Sequence, residues 1–218
     1  MRFMYRSPGH SRYALEGNRH TLRVKSSHTR GASLLLALGL CAVLTRGAVG
    51  QEMSVPVPTQ VSFLTRMLAF DRNLDRMGEG IVVGVLYQQR FRPSLNAKNA
   101  VLAAGHEHPW IADLPVRYVA TEMADSAQLH RELVRHGVDV LYVTPLRAVA
   151  VEDVVAVSRA LRLLSFTGVP EYVRRGLVMG VGSRGERPVM LVNLGAARAS
   201  GAELSSELLK LARIVEDR

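Results

Sequence analysis

The 218-residue sequence contains one cysteine, Cys41, and this scarcity excludes two common ways of stabilising a small fold. A disulfide framework needs at least two cysteines, and a cysteine-only zinc site needs several more. Aromatic residues make up only 6% of the chain and charged residues 22%, whereas apolar residues make up 48%. The chain is therefore too apolar to be intrinsically disordered, and we expect it to form a folded domain of ordinary size.

The net positive charge is also small outside the N-terminal part of the chain. The first fifty residues carry eight lysines and arginines against one acid, Glu16, which gives a net charge of +7. The other 168 residues carry twenty basic and eighteen acidic side chains, a net charge of only +2. A nucleic-acid-binding domain needs concentrated positive charge on its folded surface, so this distribution argues against DNA or RNA as a partner.

The N-terminal residues have the order of parts found in a secretory signal peptide. Basic residues precede an apolar run from Ala32 to Leu44, and Ala48 and Gly50 are the small residues of a cleavage site. As a helix this run covers about 20 Å, less than a hydrocarbon core of about 30 Å. We therefore expect residues 1–50 to be an extension with a cleavable signal peptide, periplasmic export, and no permanent membrane span.

Cleavage after Gly50 would also remove the only thiol of the chain. The alternative is a lipoprotein with the lipid on Cys41, but Leu40 stands before it, where a small residue is expected. A mature chain without cysteine cannot act as a thiol redox switch.

Strand and helix patterns alternate along the mature chain. Continuous β-branched runs such as 81–87 are typical of parallel strands that are covered on both faces. Thr59 is predicted to cap the first helix, and Ser94 to cap a helix over 96–104 that Gly105 ends. The predicted strands are 81–87, 116–120, 138–144 and 164–167, and the later helices are 125–136, 151–163 and 170–175.

After residue 175 the pattern changes to two apolar runs, 176–182 and 188–194, separated by a loop of hairpin length. A short helix at 196–200 and a final helix with Leu208, Leu211 and Val215 on one face follow. The predicted fold class is α/β, a layered sheet of mostly parallel strands with an antiparallel edge hairpin and flanking helices. The expected organisation is an extension with signal peptide at 1–50, a linker at 51–58, and an α/β domain at 59–218.

Residues 187–215, RPVMLVNLGAARASGAELSSELLKLARIV, resemble the closing signature of the YfiR-like (DUF4154) family of exported proteins. In that family a strand ending in asparagine leads into an Ala-Ala helix, a Ser-Gly break and a Leu-rich helix that starts with Ser-Ser. The earlier strands follow the same layout, so the resemblance covers about residues 60–216. The matching signature residues are Asn193, Ala196, Ala197, Gly201, Ser205, Ser206, Leu208, Leu209 and Leu211.

The signature residues indicate a scaffold rather than a chemistry. The side chain of Asn193 is expected to bond the backbone of the next turn and so to orient the Ala-Ala helix. Ala196 and Ala197 allow a close approach of helix and sheet, and Gly201 permits the positive φ that redirects the chain.

The resemblance implies a periplasmic regulator that is not an enzyme. Such a protein would repress or modulate an inner-membrane diguanylate cyclase or sensor by binding its periplasmic region, and would thereby affect cyclic-di-GMP signalling. The family also implies a homodimer. The best-known member uses disulfides for redox control, which a mature chain without cysteine cannot share.

Because aromatic anchors dominate many interfaces, Trp110 and Tyr172 are the candidate partner contacts, although Trp110 could instead pack on its own loop.

No catalytic, cofactor or metal site is predicted. Residues 180–185, GVGSRG, match a dinucleotide-binding glycine pattern but lead into a strand rather than a helix, which favours a hairpin turn. His106, Glu107 and His108 are metal-ligand types, yet a closed site would need remote residues such as His130. No Gly-x-Ser-x-Gly occurs, so an enzyme, such as an undetected hydrolase, is the less favoured class.

A periplasmic small-solute-binding module is the alternative function. An α/β layer of this kind resembles half of a periplasmic binding protein, and it could hold a ligand at the carboxyl ends of its strands.

Overall fold

The protein is described here from a computed structural model, which covers residues 52–72, 74–147 and 151–216. The expected signal peptide, its cleavage site and Cys41 lie outside the described residues. None of the helices in the described ranges has the length and apolarity that crossing a membrane requires. The helices are α1 Val57–Leu68, α2 Arg92–Glu107, α3 Ser126–His136, α4 Val151–Ala160, α5 Pro170–Arg174, α6 Leu194–Ser200 and α7 Ser206–Leu211, with a 3-10 turn at Leu74–Met77.

Eight strands form one sheet in the order β2-β3-β1-β4-β5-β6-β7-β8. The five neighbouring strands β3, β1, β4, β5 and β6 are parallel. At the two ends of this group, β2 is antiparallel to β3 and β7 is antiparallel to β6, and β8 is parallel to β7. The predicted fold class is therefore confirmed. The strands are β1 Ile81–Tyr87, β2 Trp110–Ile111, β3 Leu114–Glu122, β4 Val140–Val143, β5 Leu164–Thr167, β6 Met179–Arg184, β7 Arg187–Asn193 and β8 Arg213–Val215.

Helices cover both faces of the sheet because the central strands are apolar at consecutive positions. Val83 and Val85 of β1 point to the layer that contains α1 and α2, whereas Leu86 packs with α3 and α4. Tyr142 and Leu141 of β4 divide in the same way. This two-sided burial is the reason that the β-branched runs of the sequence do not alternate with polar residues.

Two helices begin earlier than the sequence predicted. Helix α1 starts at Val57 rather than at Thr59, and α2 starts at Arg92 with Ser94 inside it. Each helix has a proline in its first turn, where the missing N–H is not needed, so these prolines favour the earlier helix starts. Val55 is buried in the core, and the last part of the expected linker therefore belongs to the domain.

The C-terminal third contains the expected hairpin and one unexpected strand. Residues 180–185 lie in β6 and its turn, where Gly185 has φ +63°, so the glycine pattern is a hairpin and not a dinucleotide site. The predicted final helix is wrong beyond Leu211, because residues 213–215 pair with β7 as β8. The hairpin is consequently not the edge of the sheet. Ile214 and Val215 are β-branched and fit a strand once a partner strand is available.

The signature residues connect β7 to the C-terminal helices. Asn193 is the N-cap of α6, with its Oδ1 accepting from Ala196 N at 2.9 Å and its Nδ2 donating to Val173 O at 2.9 Å. Gly201 ends α6 at φ +77°, and Ser205 caps α7 by accepting from Leu208 N at 3.2 Å. Ala196, Ala197 and Leu208 are buried, Ser206 begins α7, and Leu209 is half-buried. Leu211, predicted to share one face with Leu208, is 65% exposed, whereas Leu208 is buried.

Candidate functional site

The order of the strands creates a crevice at one edge of the sheet. From β1 the chain passes through α2 to β3, which pairs with one side of β1. It then passes through α3 to β4, which pairs with the other side of β1. Helices α2 and α3 lie on opposite faces of the sheet. In such doubly wound sheets the connections that follow neighbouring strands diverge at this point, and ligands bind outside the carboxyl ends of these strands.

Residues from three connections line a crevice of about 680 Å³ at this point. We call it the switch-point crevice. Its size is within the range of pockets that hold small molecules. The sequence predicted a ligand position at the strand ends but named none of these residues, because their approach depends on the strand order. The lining residues are Gln88, Gln89, Arg90 and Phe91 after β1, Glu122, Met123 and Ala124 at the end of β3, and Arg147 after β4.

A buried chain of hydrogen bonds fixes the inner end of the crevice. Gln88 N donates to Ser94 Oγ at 2.9 Å, Ser94 and Thr144 hydroxyls lie 2.6 Å apart, and Thr144 Oγ1 donates to Leu86 O at 2.7 Å. Because each hydroxyl has one proton, Thr144 accepts from Ser94, and the chain has a single direction. Gln88 Oε1 also accepts from Arg147 N at 2.6 Å. The ends of β1 and β4 are thereby joined through side chains as well as through the sheet.

The crevice has more positive than negative side chains. Arg90 and Arg147 are exposed, and neither forms an ion pair with any residue that the structure describes. Glu122 is the acid among the lining residues. Its neighbour in the sheet is Tyr87, whose pKa is raised by burial and by the charge of Glu122. The lining therefore presents two cations and one anion.

A second feature is the short hairpin formed by β2 and β3. Trp110 pairs with Pro115 and Ile111 with Leu114, and Ala112 in the turn between them has φ +50°. Ile111 is buried in the core, while Trp110 on the opposite face is 60% exposed. More than half of the Trp110 surface is therefore in solvent. We call residues 110–115 the Trp110 hairpin.

The prediction that Tyr172 contacts a partner is wrong. It is 1% exposed, and its hydroxyl accepts from Leu146 N at 2.9 Å. Burial raises the pKa of this phenol, so it stays protonated. The single turn of α5 gave too few residues for its buried side to be read from periodicity. The other large apolar side chains that are exposed in the described ranges are Val134, Leu211 and Ile214.

The His106–His108 segment lies at the C-terminal end of α2. Among the described residues, no group of three metal-ligand side chains comes together. His108 Nε2 lies 3.3 Å from Ser62 Oγ, but that hydroxyl donates to Pro58 O at 3.1 Å. His108 is then the donor to Ser62, the reverse of the arrangement in which a base activates a nucleophile.

A family model described as YfiR/HmsC-like (DUF4154) matches residues 59–213, well over half of the chain. The chain belongs to the YfiR/HmsC-like family. This confirms the resemblance noted in residues 187–215. YfiR/HmsC-like proteins are periplasmic, regulatory and non-catalytic, and the family is consistent with cyclic-di-GMP regulation. No curated protein matches the sequence.

Solved structures share the fold of this YfiR/HmsC-like chain. They include an ABC domain in complex with L-Trp from Streptococcus pneumoniae, with 16% identity and a TM-score of 0.53. A conserved domain protein from Vibrio cholerae has 16% identity and a TM-score of 0.55, and each of these two matches covers 73% of this chain and 60% of the other. CD0873, a substrate binding protein with adhesive properties from Clostridium difficile, has 17% identity, a TM-score of 0.50, and coverage of 75% and 61%. The chain thus spans about three-fifths of their length, and at these identities the likeness concerns the fold alone.

Proposed function

We propose that this YfiR/HmsC-like protein represses or modulates an inner-membrane diguanylate cyclase or sensor by binding the partner's periplasmic region. The observation that supports docking most directly is the Trp110 hairpin, which holds a largely exposed indole at the edge of the sheet. Binding would act on the partner by favouring one of its conformations, without any bond being made or broken. Export by a signal peptide and a homodimer belong to the same proposal.

The local structure makes Trp110 a suitable anchor. The neighbouring Ile111 is buried, which fixes the backbone of β2, so the backbone that carries the indole loses little conformational freedom on binding. Tryptophan is among the residues that contribute most to protein interfaces, and its apolar surface here is left in water by the isolated chain. The positive φ of Ala112 is unfavourable for a residue with a Cβ, by about 1–2 kcal/mol, and the β2–β3 pairing maintains it.

The test is retention of membrane proteins by the exported full chain carrying a C-terminal tag. After mild solubilisation of membranes, we expect a cyclase or sensor with a periplasmic region to be retained. Trp110→Ala should weaken its binding about 30-fold, which corresponds to the loss of a tryptophan hot spot of about 2 kcal/mol. Val134→Ala is the matched control, because Val134 is 58% exposed on α3 and lies outside the hairpin.

Two results would contradict the docking proposal. One is the retention of no inner-membrane protein of these classes. The other is equal affinity of the Trp110→Ala protein and the unchanged protein for the retained partner. Since Trp110 is mostly in solvent, its replacement should change the free energy of unfolding by less than about 0.5 kcal/mol, so that misfolding does not confuse the comparison.

The second candidate function is small-solute binding, which the switch-point crevice supports. The crevice lies where ligands bind in doubly wound sheets, and two of the similar structures are a substrate binding protein and a domain in complex with L-Trp. Native mass spectrometry of the exported protein, purified without denaturation, should reveal a co-purified small molecule. If the protein repeatedly carries none, solute binding is not its function.

A further inference from the structure

We infer that the switch-point crevice binds a small organic anion. The anionic group of the ligand would lie between Arg90 and Arg147, and an apolar part would lie against Phe91 and Met123. This inference rests on the second proposed function, solute binding, and names the class of solute. It is carried by the juxtaposition, in one cavity, of two guanidinium groups from separate connections.

The two arginines come to the crevice by different routes. Arg90 belongs to the connection between β1 and α2, and Arg147 follows β4, so only the pairing of β1 with β4 brings them to one cavity. The bond from Arg147 N to Gln88 Oε1 holds the backbone of the second connection against the first. Guanidinium groups bind carboxylates and phosphates with paired hydrogen bonds. With no acidic partner among the described residues, both guanidinium groups are available to a ligand.

The first turn of α2 adds to the positive potential of the crevice. Its N-cap is Phe91, whose side chain accepts no hydrogen bond, and the first turn of this 16-residue helix contains no acid. The first N–H groups of a helix have no acceptor within the helix, and the helix dipole makes this end positive. By contrast, the N-terminus of α3 is already capped, because Asp125 Oδ1 accepts from Gln128 N at 2.7 Å. An anion is therefore favoured on the α2 side of the crevice.

Glu122 limits the class of ligand. It lines the crevice from the end of β3 and carries a negative charge that would repel a second anionic group. Ligands with one anionic end are thus favoured over dicarboxylates. The opposite end of the ligand can be neutral, or can be a cation that interacts with Glu122.

The remaining lining favours a ligand that also has an apolar part. Phe91 is half-buried and Met123 is buried, and both contribute to the wall of a cavity of about 680 Å³. A ring or alkyl chain on these side chains would bury apolar surface, while the anionic end remains at the two arginines. Inorganic phosphate or chloride alone would leave this wall in contact with water.

Four probes that share a phenyl ring and differ in charge test the inference. Isothermal titration of the exported full chain would use phenylacetate, phenyl phosphate, neutral 2-phenylethanol and cationic 2-phenylethylamine at low ionic strength. We expect saturable one-to-one binding of at least one anionic probe, about tenfold or more tighter than 2-phenylethanol. Added salt should weaken this binding, because the arginines are exposed and screening acts on them.

The double variant Arg90→Gln/Arg147→Gln should weaken the anionic probe about tenfold or more, in keeping with the loss of charged hydrogen bonds. The matched control is Arg184→Gln/Arg187→Gln, which removes two exposed arginines of the β6–β7 hairpin that do not line the crevice. Circular dichroism of both variants checks that the fold is retained.

The possible outcomes separate this inference from the function on which it rests. If 2-phenylethanol or 2-phenylethylamine binds as tightly as the anions, solute binding stands and the anion inference is overturned. If the anions bind and the Arg90→Gln/Arg147→Gln protein binds them equally well, the inference is also overturned. If none of the four probes binds, the inference fails, and solute binding itself is then decided by the co-purified molecule.

Discussion

Arg147 N donates a 2.6 Å hydrogen bond to Gln88 Oε1, and this bond joins the connections that follow two neighbouring parallel strands. Gln88 also uses its backbone N–H to bond Ser94 Oγ, so one residue contacts both α2 and the segment after β4. The side chain of Gln88 therefore links two of the connections that line the switch-point crevice. Gln88 is a positioning residue for Arg147.

Replacing Gln88 with alanine should loosen the crevice without unfolding the domain. The loss of one hydrogen bond should lower the free energy of unfolding by about 1 kcal/mol, measured by urea denaturation. Amide hydrogen exchange at Arg147 should become faster, because its acceptor is gone. Gln89→Ala is the control, since Gln89 is exposed on the same connection. Equal exchange at Arg147 in the two variants would show that the Gln88 bond does not position this segment.

Gly168→Ala should destabilise the protein through Gln60. A Cβ at position 168 would overlap the side-chain amide of Gln60, which is buried. Gln60 cannot move aside freely, because it accepts from Tyr142 OH and donates to Val55 O at 2.6 Å. We expect a loss of about 1–3 kcal/mol in the free energy of unfolding.

The Gln60→Ala background is the control for this prediction. Gln60→Ala removes the group that Gly168→Ala would meet, so the additional cost of Gly168→Ala should be much smaller in that background. Equal costs in both backgrounds, measured as a double-mutant cycle, would show that the overlap with Gln60 is not the cause.

Asn193→Ala should cost more than the loss of an ordinary helix cap. The substitution removes the acceptor for Ala196 N and one of the two donors to the buried carbonyl of Val173, which still accepts from Gly176 N at 3.2 Å. A lost cap, at about 1 kcal/mol, and a lost buried hydrogen bond, at about 1 kcal/mol, together predict about 2 kcal/mol in urea denaturation. Ser205→Ala, which removes only the cap of α7, should cost about 1 kcal/mol. The reverse order of the two costs would contradict this account of the signature.

Asp139→Asn should change how stability depends on pH. Burial raises the pKa of Asp139, and the bond from Val82 N at 2.8 Å and the charge of Arg117 only partly oppose this. A raised folded-state pKa means that the folded protein holds the proton more tightly than the unfolded chain does. The contribution to stability is thus present below the ordinary pKa of 3.8, and it is lost as the pH rises through the raised value.

Asparagine cannot ionise, and it retains an oxygen that can accept from Val82 N. The variant should therefore gain stability relative to the unchanged protein at pH 7, and this gain should shrink or vanish at pH 3.5. Urea denaturation at the two pH values measures it. A stability difference that is the same at both would mean that ionisation of Asp139 does not oppose folding.

The amino-acid sequence by itself determined the elements whose signals are local. Residues 81–87 form a strand because a run of apolar β-branched side chains can be buried on two faces, and the structure has these bounds. Helix α3 lies within one residue of the predicted range 125–136, since the capping carboxylate of Asp125 and the positive φ of Gly137 act within a few residues. The same local reasoning located the cap at Asn193 and the turn at Gly201.

Only the tertiary structure decided which of these elements meet. The order of the strands brings Arg90 and Arg147 to one crevice, although 56 residues separate them in the sequence. Pairing with β7 makes a strand of residues 213–215, for which helical periodicity predicts a helix. Packing against α4 and the segment after β4 buries Tyr172. The physical reason is common to all three. Local propensities are worth a few tenths of a kcal/mol per residue, and they give way when long-range pairing and burial supply more.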